Sequence, residues 1–267
     1  MNIGIIGYGS MGRMIAGKIA SAKNTGGKIF AANRTPSKLE NLPAGITACS
    51  NNASLASMSD VVIVCTRPSD MKTVLEEIKA AVNSDKILVS LNGSISFEMI
   101  NKIIPAKTAK VIPSVTAEVN RSQTLVSFND LIRKEDKDTV KEIFFCMGNV
   151  IELSENEMGM GSELVSCMPG FIASIFDVVC QSAKKHTSIP EPQIVNMVMN
   201  TLCATGELML EKKMSFGTVV ERVATKGGIT EEGTKVVYEN LPLVMDELFE
   251  KTLAKRKLTA QKAQSSF

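Results

Sequence analysis

A glycine pattern at residues 7–12 restricts the fold of this chain more than any other feature of its sequence. Gly7, Gly9 and Gly12 form G-x-G-x-x-G between an apolar β-rich run, 2–6, and a helical stretch, 10–22. In such a pattern between a strand and a helix, the first glycine permits a tight turn and the second lets the backbone approach a pyrophosphate. The third glycine allows close packing of the helix on the strand. A glycine-rich turn that binds nothing is the alternative. The pattern predicts a dinucleotide whose phosphates are bound by amides at a helix N-terminus. The predicted binding residues are Gly7, Gly9, Ser10, Met11 and Gly12.

The end of the second predicted strand, 28–32, indicates which dinucleotide is bound. NAD enzymes usually carry an acidic residue about 20 residues beyond the glycines, where it accepts both ribose hydroxyls. Here the neutral Asn33 stands at that place and Arg34 follows, with the hydroxyls of Thr35 and Ser37 close in sequence. A cation beside two donors suits a 2′-phosphate. The pattern therefore predicts NADPH in preference to NADH, and the alternative is a plain surface arginine.

Residues 1–154 alternate short β-rich runs with helical stretches, which predicts an α/β fold, a doubly wound Rossmann sheet with parallel pairing. The runs 61–65 and 87–91 are nearly all apolar, as expected of strands that are covered on both faces. The predicted strands are 2–6, 28–32, 61–65, 87–91, 109–112, 125–128 and 149–153. The predicted helices of this dinucleotide-binding domain are 10–22, 54–58, 71–82, 97–103 and 134–146.

Residues 155–267 contain no convincing strand and predict an all-helical dimerisation and substrate domain. Pro169 is expected to kink the first helix, and Pro242 is expected to bend or split the last. Several helices are apolar around much of their circumference and must be buried on most sides. One subunit cannot easily bury them, so a homodimer or a higher homo-oligomer is expected. The predicted helices are 161–185, 190–212, 216–224 and 230–256.

Composition excludes several classes of function. A formal net charge of +2 over 267 residues gives no electrostatic argument for binding nucleic acid or a membrane. The six cysteines include no C-x-x-C pair, so no metal site is predicted, and their apolar surroundings favour a reducing, cytoplasmic setting. We find no signal-peptide pattern. Because no unbroken apolar run reaches about 18 residues, no membrane span is expected.

Further segments give the chain a resemblance to the pyrroline-5-carboxylate reductases that covers nearly its whole length. The segment 59–68 resembles the family's strand and the loop that follows over the cofactor, and 90–93 resembles the loop after the next strand. These matches accompany the glycine loop and the turn 33–35. The resemblance implies that further cofactor contacts come from Asn52, near the adenosine ribose, and from Thr66, Arg67, Pro68 and Asn92.

Two segments of the helical half extend the resemblance to the substrate. Residues 164–171 resemble the family's S-G-S-G-P-A-[FY], and residues 225–230 resemble S-P-G-G-[TA]-T. The resemblance implies that the second loop binds the substrate carboxylate through its amides and places Thr230 near the imine nitrogen. A Gly-Gly turn before a helix is also an anion site on physical grounds, although a plain turn between helices is the alternative. The implied substrate-binding residues are Met168, Gly227, Gly228, Ile229 and Thr230.

The chain departs from the family pattern at several of these positions and looks like a divergent member. Lys110 stands where the family usually has arginine, and Ser114 where it has asparagine. Met168 replaces a glycine beside the substrate, and Lys226 replaces a proline in the carboxylate loop. The substrate is therefore less firmly predicted than the fold.

The implied reaction is NADPH-dependent reduction of a cyclic imine, with 1-pyrroline-5-carboxylate to proline as the leading expectation. A protonated imine is already electrophilic, so positioning matters most, and Thr230 is assigned orientation of the nitrogen as the candidate catalytic residue. The only histidine, His186, lies at a helix end. A β-hydroxyacid dehydrogenase is disfavoured because Val165 and Pro169 stand where that class has lysine and asparagine. A reductase of another imine, or a non-catalytic nucleotide-binding regulatory paralogue, stays open.

Overall fold

The structure is a computed structural model that describes residues 1–22 and 26–267. It contains two compact units. The sheet unit comprises Met1–Pro169 and Thr252–Phe267, and the helical unit comprises Gly170–Lys251. The change of character at residue 154 remains the predicted domain boundary, while packing groups the segments on either side of the helical unit with the sheet.

The sheet unit is built on an eight-stranded sheet, as counted over the described residues. Its order is β3-β2-β1-β4-β5-β6-β7-β8. The strands are β1 (Ile3–Ile6), β2 (Ile29–Ala32), β3 (Ile46–Ala48), β4 (Val61–Val64), β5 (Ile87–Ser90), β6 (Lys107–Ile112), β7 (Ser122–Phe128) and β8 (Gly148–Glu152). This confirms the doubly wound Rossmann class. Because β1 has β2 on one side and β4 on the other, the chain reverses direction across the sheet at β1, and ligands bind at such a switch point.

The strands β3, β2, β1, β4, β5 and β6 pair in parallel, but β7 runs antiparallel to β6. The expectation of parallel pairing throughout was therefore wrong at β7, and β8 pairs in parallel with β7. A parallel crossover needs a connection of a dozen or more residues. The link here is a short 3₁₀ turn, Val115–Val119, that ends at Asn120 in the left-handed conformation, and it turns the chain straight back. The strand β3 was not predicted because it has only three residues.

Helices cover both faces of this sheet. They are α1 (Ser10–Ala22), α2 (Asn52–Met58), α3 (Pro68–Ile78), α4 (Phe97–Asn101) and α5 (Lys134–Phe145). Alternate residues of a strand point to opposite faces, so Ile3 and Ile5 enter one core cluster while Ile6 enters the other. All four residues of β4 and of β5 are buried, as the apolar runs 61–65 and 87–91 predicted.

The segment that follows β8 is helical but interrupted. The helix α6 (Met158–Ser162) leads into a π-helical turn, Glu163–Cys167, and α7 (Met168–Ala183) follows. Pro169 has no N–H and its ring displaces a carbonyl of the preceding turn, so a π turn just before it is a physical consequence of the proline. The predicted kink therefore takes the form of a wider turn.

The helical unit consists of most of α7, then α8 (Glu191–Lys212), α9 (Phe216–Val223) and the part of α10 (Ile229–Gln264) up to residue 251. Pro242 lies inside α10 without splitting it. Of residues 170–251, all of which are described, only Cys180 and Ile194 are buried. Many large apolar side chains are exposed instead, among them Val178, Met197, Leu210, Phe216, Ile229 and Leu243. This unit therefore presents apolar surface that only another molecule can cover.

One helical stretch, Glu155–Ala183, is long and apolar enough to cross a membrane by length and composition alone. The sequence expectation had required an unbroken apolar run, which Glu163 and Asp177 interrupt. Mean hydropathy tolerates such interruptions, so a stretch without an unbroken apolar run can meet this criterion, and the expected lack of a membrane span stays a prediction. A single stretch of this kind is weak evidence for a membrane protein.

We predict that Gly148→Ala lowers the free energy of unfolding by about 1 to 3 kcal/mol, the usual cost of a strained backbone conformation. Gly148 has φ +136°, and a Cβ there would lie 2.2 Å from the carbonyl oxygen of Ser122. The control is Gly17→Ala in α1, where a Cβ meets no atom within 4 Å and stability should rise by about 0.5 to 1 kcal/mol. Urea denaturation of both variants measures the difference, and equal stability of the two would contradict the prediction.

Candidate functional site

The glycine loop lies at the carboxyl end of β1 and needs its glycines for separate reasons. Gly7 has φ +94°, and a Cβ there would lie 3.0 Å from the Cys65 carbonyl group. A Cβ on Gly12 would lie 2.1 Å from the carbonyl oxygen of Gly7. In contrast, a Cβ on Gly9 meets no atom within 4 Å. Gly7 and Gly12 hold α1 close to β1. Gly9 leaves open space beside the first amides of α1, which fits a pyrophosphate.

The turn after β2 braces this loop. The Asn33 side-chain oxygen accepts a hydrogen bond from the Tyr8 amide at 3.0 Å, and its NH₂ group donates to the Thr35 carbonyl at 3.1 Å. The Arg34 side chain is 87% exposed, and its Nη1 lies 3.5 Å from Asp70 Oδ1. Such an exposed and long ion pair contributes little to stability. Arg34 is therefore available to an anionic ligand, while Asn33 supports the loop.

Two further cations lie at the same place, and sequence reasoning missed them. Arg13 and Lys38 line one cleft together with Gly9 and Ser10. The Arg13 guanidinium lies 5.7 Å from the centre of the Tyr8 ring. Lys38 stands in a 3₁₀ turn, Pro36–Leu39, only four residues after Arg34. That short spacing of two cations after a strand is the sequence signal that could have identified Lys38.

The loops after β4 and β5 are joined by a side chain. Asn92 is 7% exposed, and its NH₂ group donates to the Thr66 carbonyl at 2.8 Å. The Thr66 hydroxyl is buried and has no hydrogen-bond partner among the described residues. Arg67 and Pro68 follow, and Pro68 begins α3. This edge therefore brings together the glycine loop, residues 33–35, the loop 66–68 and Asn92, as the resemblance implied.

Asn52 and Cys65 contribute less to this edge. Asn52 follows the outermost strand β3, and its NH₂ group donates to a Glu77 carboxylate oxygen at 2.6 Å. Desolvation raises the pKa of the Cys65 thiol to about 12. The Cys65 thiol therefore stays protonated and cannot act as a nucleophile at neutral pH.

All six cysteines are free thiols, and the part of the chain that the structure describes contains no group of residues able to hold a metal ion.

Lys110, which stands where the family usually has arginine, forms an ion pair inside the sheet unit. Its side chain is 4% exposed, and its Nζ lies 2.9 Å from Glu155 Oε1. The same oxygen accepts the Phe97 amide at 2.9 Å. Glu155 thereby ties the start of the segment 155–169 to β6 and to the start of α4.

A second ion pair holds the π turn. Glu163 is 1% exposed, and its Oε1 accepts hydrogen bonds from Arg256 Nε at 3.1 Å and Nη2 at 2.7 Å. Nη2 also lies 3.1 Å from the Ser162 hydroxyl and 3.8 Å from the Cys167 sulfur. Burial and the Glu163 carboxylate raise the pKa of the Cys167 thiol. Met168, the predicted substrate contact, follows directly and is half-buried.

The loop 225–230 lies in the helical unit. Gly227 has φ +72°, and its amide donates to Glu231 Oε2 at 2.7 Å. The Gly228 amide donates to the Thr225 carbonyl at 2.8 Å. Because α10 begins at Ile229, the amides of Ile229 and Thr230 are the donors of the first helical turn. The loop therefore offers an anion the amides of Ile229 and Thr230, because the amides of Gly227 and Gly228 already have acceptors within the loop and the first helical turn.

Comparison with known proteins matches two family models to separate parts of the chain. Residues 2–93 match the family described as NADP oxidoreductase coenzyme F420-dependent, and residues 155–258 match the family described as pyrroline-5-carboxylate reductase dimerisation. The chain is 32% identical over 265 residues to pyrroline-5-carboxylate reductase 3 of Bacillus subtilis (strain 168), and the match covers 97% of each chain.

Solved structures show the same fold at lower identity. A pyrroline-5-carboxylate reductase from Coxiella burnetii is 23% identical with a TM-score of 0.85, over 99% of this chain and 98% of that one. A pyrroline carboxylate reductase from Plasmodium falciparum, solved with NADP bound, is 20% identical with a TM-score of 0.82, over 100% of this chain and 98% of that one. These likenesses show that the chain shares the fold of both proteins.

Proposed function

The chain belongs to the pyrroline-5-carboxylate reductase family, whose members are NAD(P)H-dependent oxidoreductases acting on C=N bonds, and we propose that it reduces 1-pyrroline-5-carboxylate to proline with NADPH. The full-length match to a reductase at 32% identity carries this proposal. The nucleotide loop in the sheet unit and the Gly-Gly loop before α10 in the helical unit support it.

Three cations support NADPH as the cofactor. Arg34 stands where NAD enzymes carry an acid, and Arg13 and Lys38 line the neighbouring cleft. A 2′-phosphate carries close to two negative charges at neutral pH, so it gains from each cation. When bound, NADPH supplies the hydride that the imine carbon accepts.

The chain's own residues then have to hold the substrate and orient it. We assign the substrate carboxylate to the amides of Ile229 and Thr230, which lie at the positive end of α10. The Thr230 hydroxyl is assigned to the ring nitrogen. A protonated imine becomes a secondary amine when its carbon gains a hydride, and the nitrogen keeps its proton through that step. No strong acid or base is needed beside it, which agrees with the absence of a catalytic acid cluster from the predicted site residues.

We further propose that the protein is a homodimer or a larger homo-oligomer, joined through the helical unit, in the cytoplasm. The helical unit buries only Cys180 and Ile194, while Leu210 and Phe216 are each 79% exposed. Burial of apolar surface stabilises an assembly by about 25 cal/mol for each Å² that is removed from water. A second copy of this unit is the partner that the dimerisation family supports.

The first prediction concerns the cofactor. Arg34→Glu should weaken NADPH binding by about 1.5 to 3 kcal/mol, the range for a hydrogen bond to a charged group, and should leave NADH binding nearly unchanged. The unaltered protein should bind NADPH more tightly than NADH. Isothermal titration measures all four affinities. The control is Lys102→Gln, an exposed lysine directly after α4 that pairs with Glu98. Equal affinity of the unaltered protein for both cofactors would contradict the assignment.

The second prediction concerns assembly. Sedimentation at micromolar concentration should give at least a dimer, with an interface above about 2,000 Å² in total, as in obligate oligomers. Replacement of Leu210 and Phe216 by aspartate should shift the protein towards monomer because charges would then enter the interface. The matched control places aspartate at Phe145, which is 68% exposed but lies in the sheet unit. A stable monomer of the unaltered protein would refute the proposal.

The third prediction concerns the reaction. The purified protein should oxidise NADPH in the presence of 1-pyrroline-5-carboxylate, and Thr230→Ala should lower kcat by about 10- to 100-fold through loss of one hydrogen bond to the reacting nitrogen. Gly228→Ala should raise KM, since a Cβ there lies 2.5 Å from the Thr225 hydroxyl and opens the loop. The two effects differ because carboxylate binding is shared by the ground and transition states.

The control for Thr230 is Thr234→Ala, one turn further along α10, whose hydroxyl donates to the Glu231 carbonyl. A panel of six-membered and substituted imines tests whether Met168 has changed the ring that is accepted. Turnover with none of these imines, together with intact NADPH binding, would favour a non-catalytic nucleotide-binding paralogue. Turnover that is unchanged in Thr230→Ala would remove the role of that hydroxyl.

A further inference from the structure

Arg256 lies beside the loop that follows β5, within the sheet unit. Its Nη1 is 3.4 Å from the position of a Cβ on Gly93, and the Ile112 Cδ1 atom is 3.3 Å from the same position. β5 lies two strands from β1, on the side away from β2 and Arg34. At about 4.8 Å between strands, the guanidinium is displaced by roughly 10 Å from the glycine loop along the carboxyl edge of the sheet.

The guanidinium is held in a fixed orientation. Glu163 Oε1 accepts from both Nε and Nη2, and Nη2 also reaches the Ser162 hydroxyl. Glu163 is almost fully buried. Movement of Arg256 would leave that carboxylate without a counter-charge, which is a costly state inside a protein. Arg256 therefore presents the same edge to the site before any ligand arrives.

The remaining edge of the guanidinium is unoccupied. Nη1 carries two N–H groups, and neither has an acceptor within residues 1–22 and 26–267, while the Arg256 side chain is 24% exposed. The positive charge is already balanced by Glu163, whose second oxygen is buried and has no hydrogen-bond partner in the same ranges. A further carboxylate would meet that oxygen's negative charge. The edge therefore suits a neutral carbonyl oxygen better than an anion.

We propose that Nη1 of Arg256 binds the carboxamide oxygen of the nicotinamide ring when the dinucleotide is bound. A dinucleotide lies across the switch point of such a sheet. With its adenosine end at β2, its other end extends over β4 and β5, where Arg256 stands. Gly93 keeps this edge accessible, since a side chain there would press on Ile112 and on the guanidinium itself. The inference rests on the proposed nucleotide binding but not on the identity of the imine.

This contact would give Arg256 a role in orienting the ring. A ring held only by its ribose can rotate about the glycosidic bond, whereas a fixed carboxamide selects which face of the ring meets the substrate. Fixed geometry of this kind is a large part of what an enzyme contributes to a two-substrate reaction. Arg256 itself lies outside all of the sequence motifs, 26 residues beyond the end of the motif 225–230.

The test compares two ligands on the purified full chain by isothermal titration. The first is NADPH, and the second is 2′-phospho-ADP-ribose, which lacks only the nicotinamide ring. Arg256→Met should weaken NADPH about tenfold, as for one hydrogen bond from a charged donor, and should leave 2′-phospho-ADP-ribose unchanged. Arg34→Gln serves as the matched control and should weaken both ligands alike. The two variants should therefore differ only in their effect on 2′-phospho-ADP-ribose, which separates a contact to the nicotinamide end from a contact to the adenosine end.

A second variant keeps the test decisive if Arg256→Met folds poorly because Glu163 is left unpaired. Glu163→Gln/Arg256→Met removes both charges and should show the same selective loss of NADPH affinity. Equal weakening of both ligands, or of neither, would overturn the inference. So would unchanged NADPH binding with weaker binding of a carboxylated imine, which would assign Arg256 to the substrate. Absence of imine turnover would count against the proposed reaction alone, because the affinities for the two nucleotides are measured without any turnover.

Discussion

The contact between Gly12 and the carbonyl of Gly7 fixes the position of α1 against β1, and much of the sheet unit depends on it. A Cβ on Gly12 would lie 2.1 Å from that oxygen. Without this close approach the first amides of α1 would move away from the carboxyl edge of the sheet. The turn is then held from a second side, since the Gly7 amide donates to the Ala32 carbonyl at 2.9 Å and Asn33 accepts from Tyr8. Backbone contacts and the Asn33 side chain thus hold the loop in place.

Two buried ion pairs perform a different task in the segment that follows β8. Lys110 with Glu155, and Arg256 with Glu163, bind the segment 155–169 to the carboxyl half of the sheet. A buried ion pair is weak evidence for stability, because desolvation offsets most of the attraction. It is strong evidence for position, since Lys110 or Glu163 without its partner would be a buried charge. The π turn and Met168 are therefore located by charge as well as by apolar packing, and the departure of Lys110 from the family pattern is part of that arrangement.

The sequence predicted those features that local patterns encode. The glycine loop, the two-sided apolar strands β4 and β5, and the helices up to their ends follow from spacing of residues close in sequence. The reversal at β7 could not be predicted, because it depends on a short turn that ends in a left-handed asparagine, Asn120. The pair of Glu163 and Arg256 could not be predicted either, since 93 residues separate the partners. In the loop 225–230 the motif was visible, but the use of the Gly228 amide by Thr225 depends on the turn that the chain adopts there.

In the helical unit, local patterns predict the helices but not what buries their apolar faces. Its helices were predicted from their residues, yet the same residues do not form a core within the unit, where Cys180 and Ile194 alone are buried. In the homo-oligomer that we propose, the unit would gain stability from burial against a second copy, and its folding would be linked to the concentration of the chain. The loop 225–230 belongs to this unit. If the proposed assembly orders the helical unit, it also orders the two amides to which we assign the substrate carboxylate, and assembly is then a condition for the substrate site rather than a separate property of the protein.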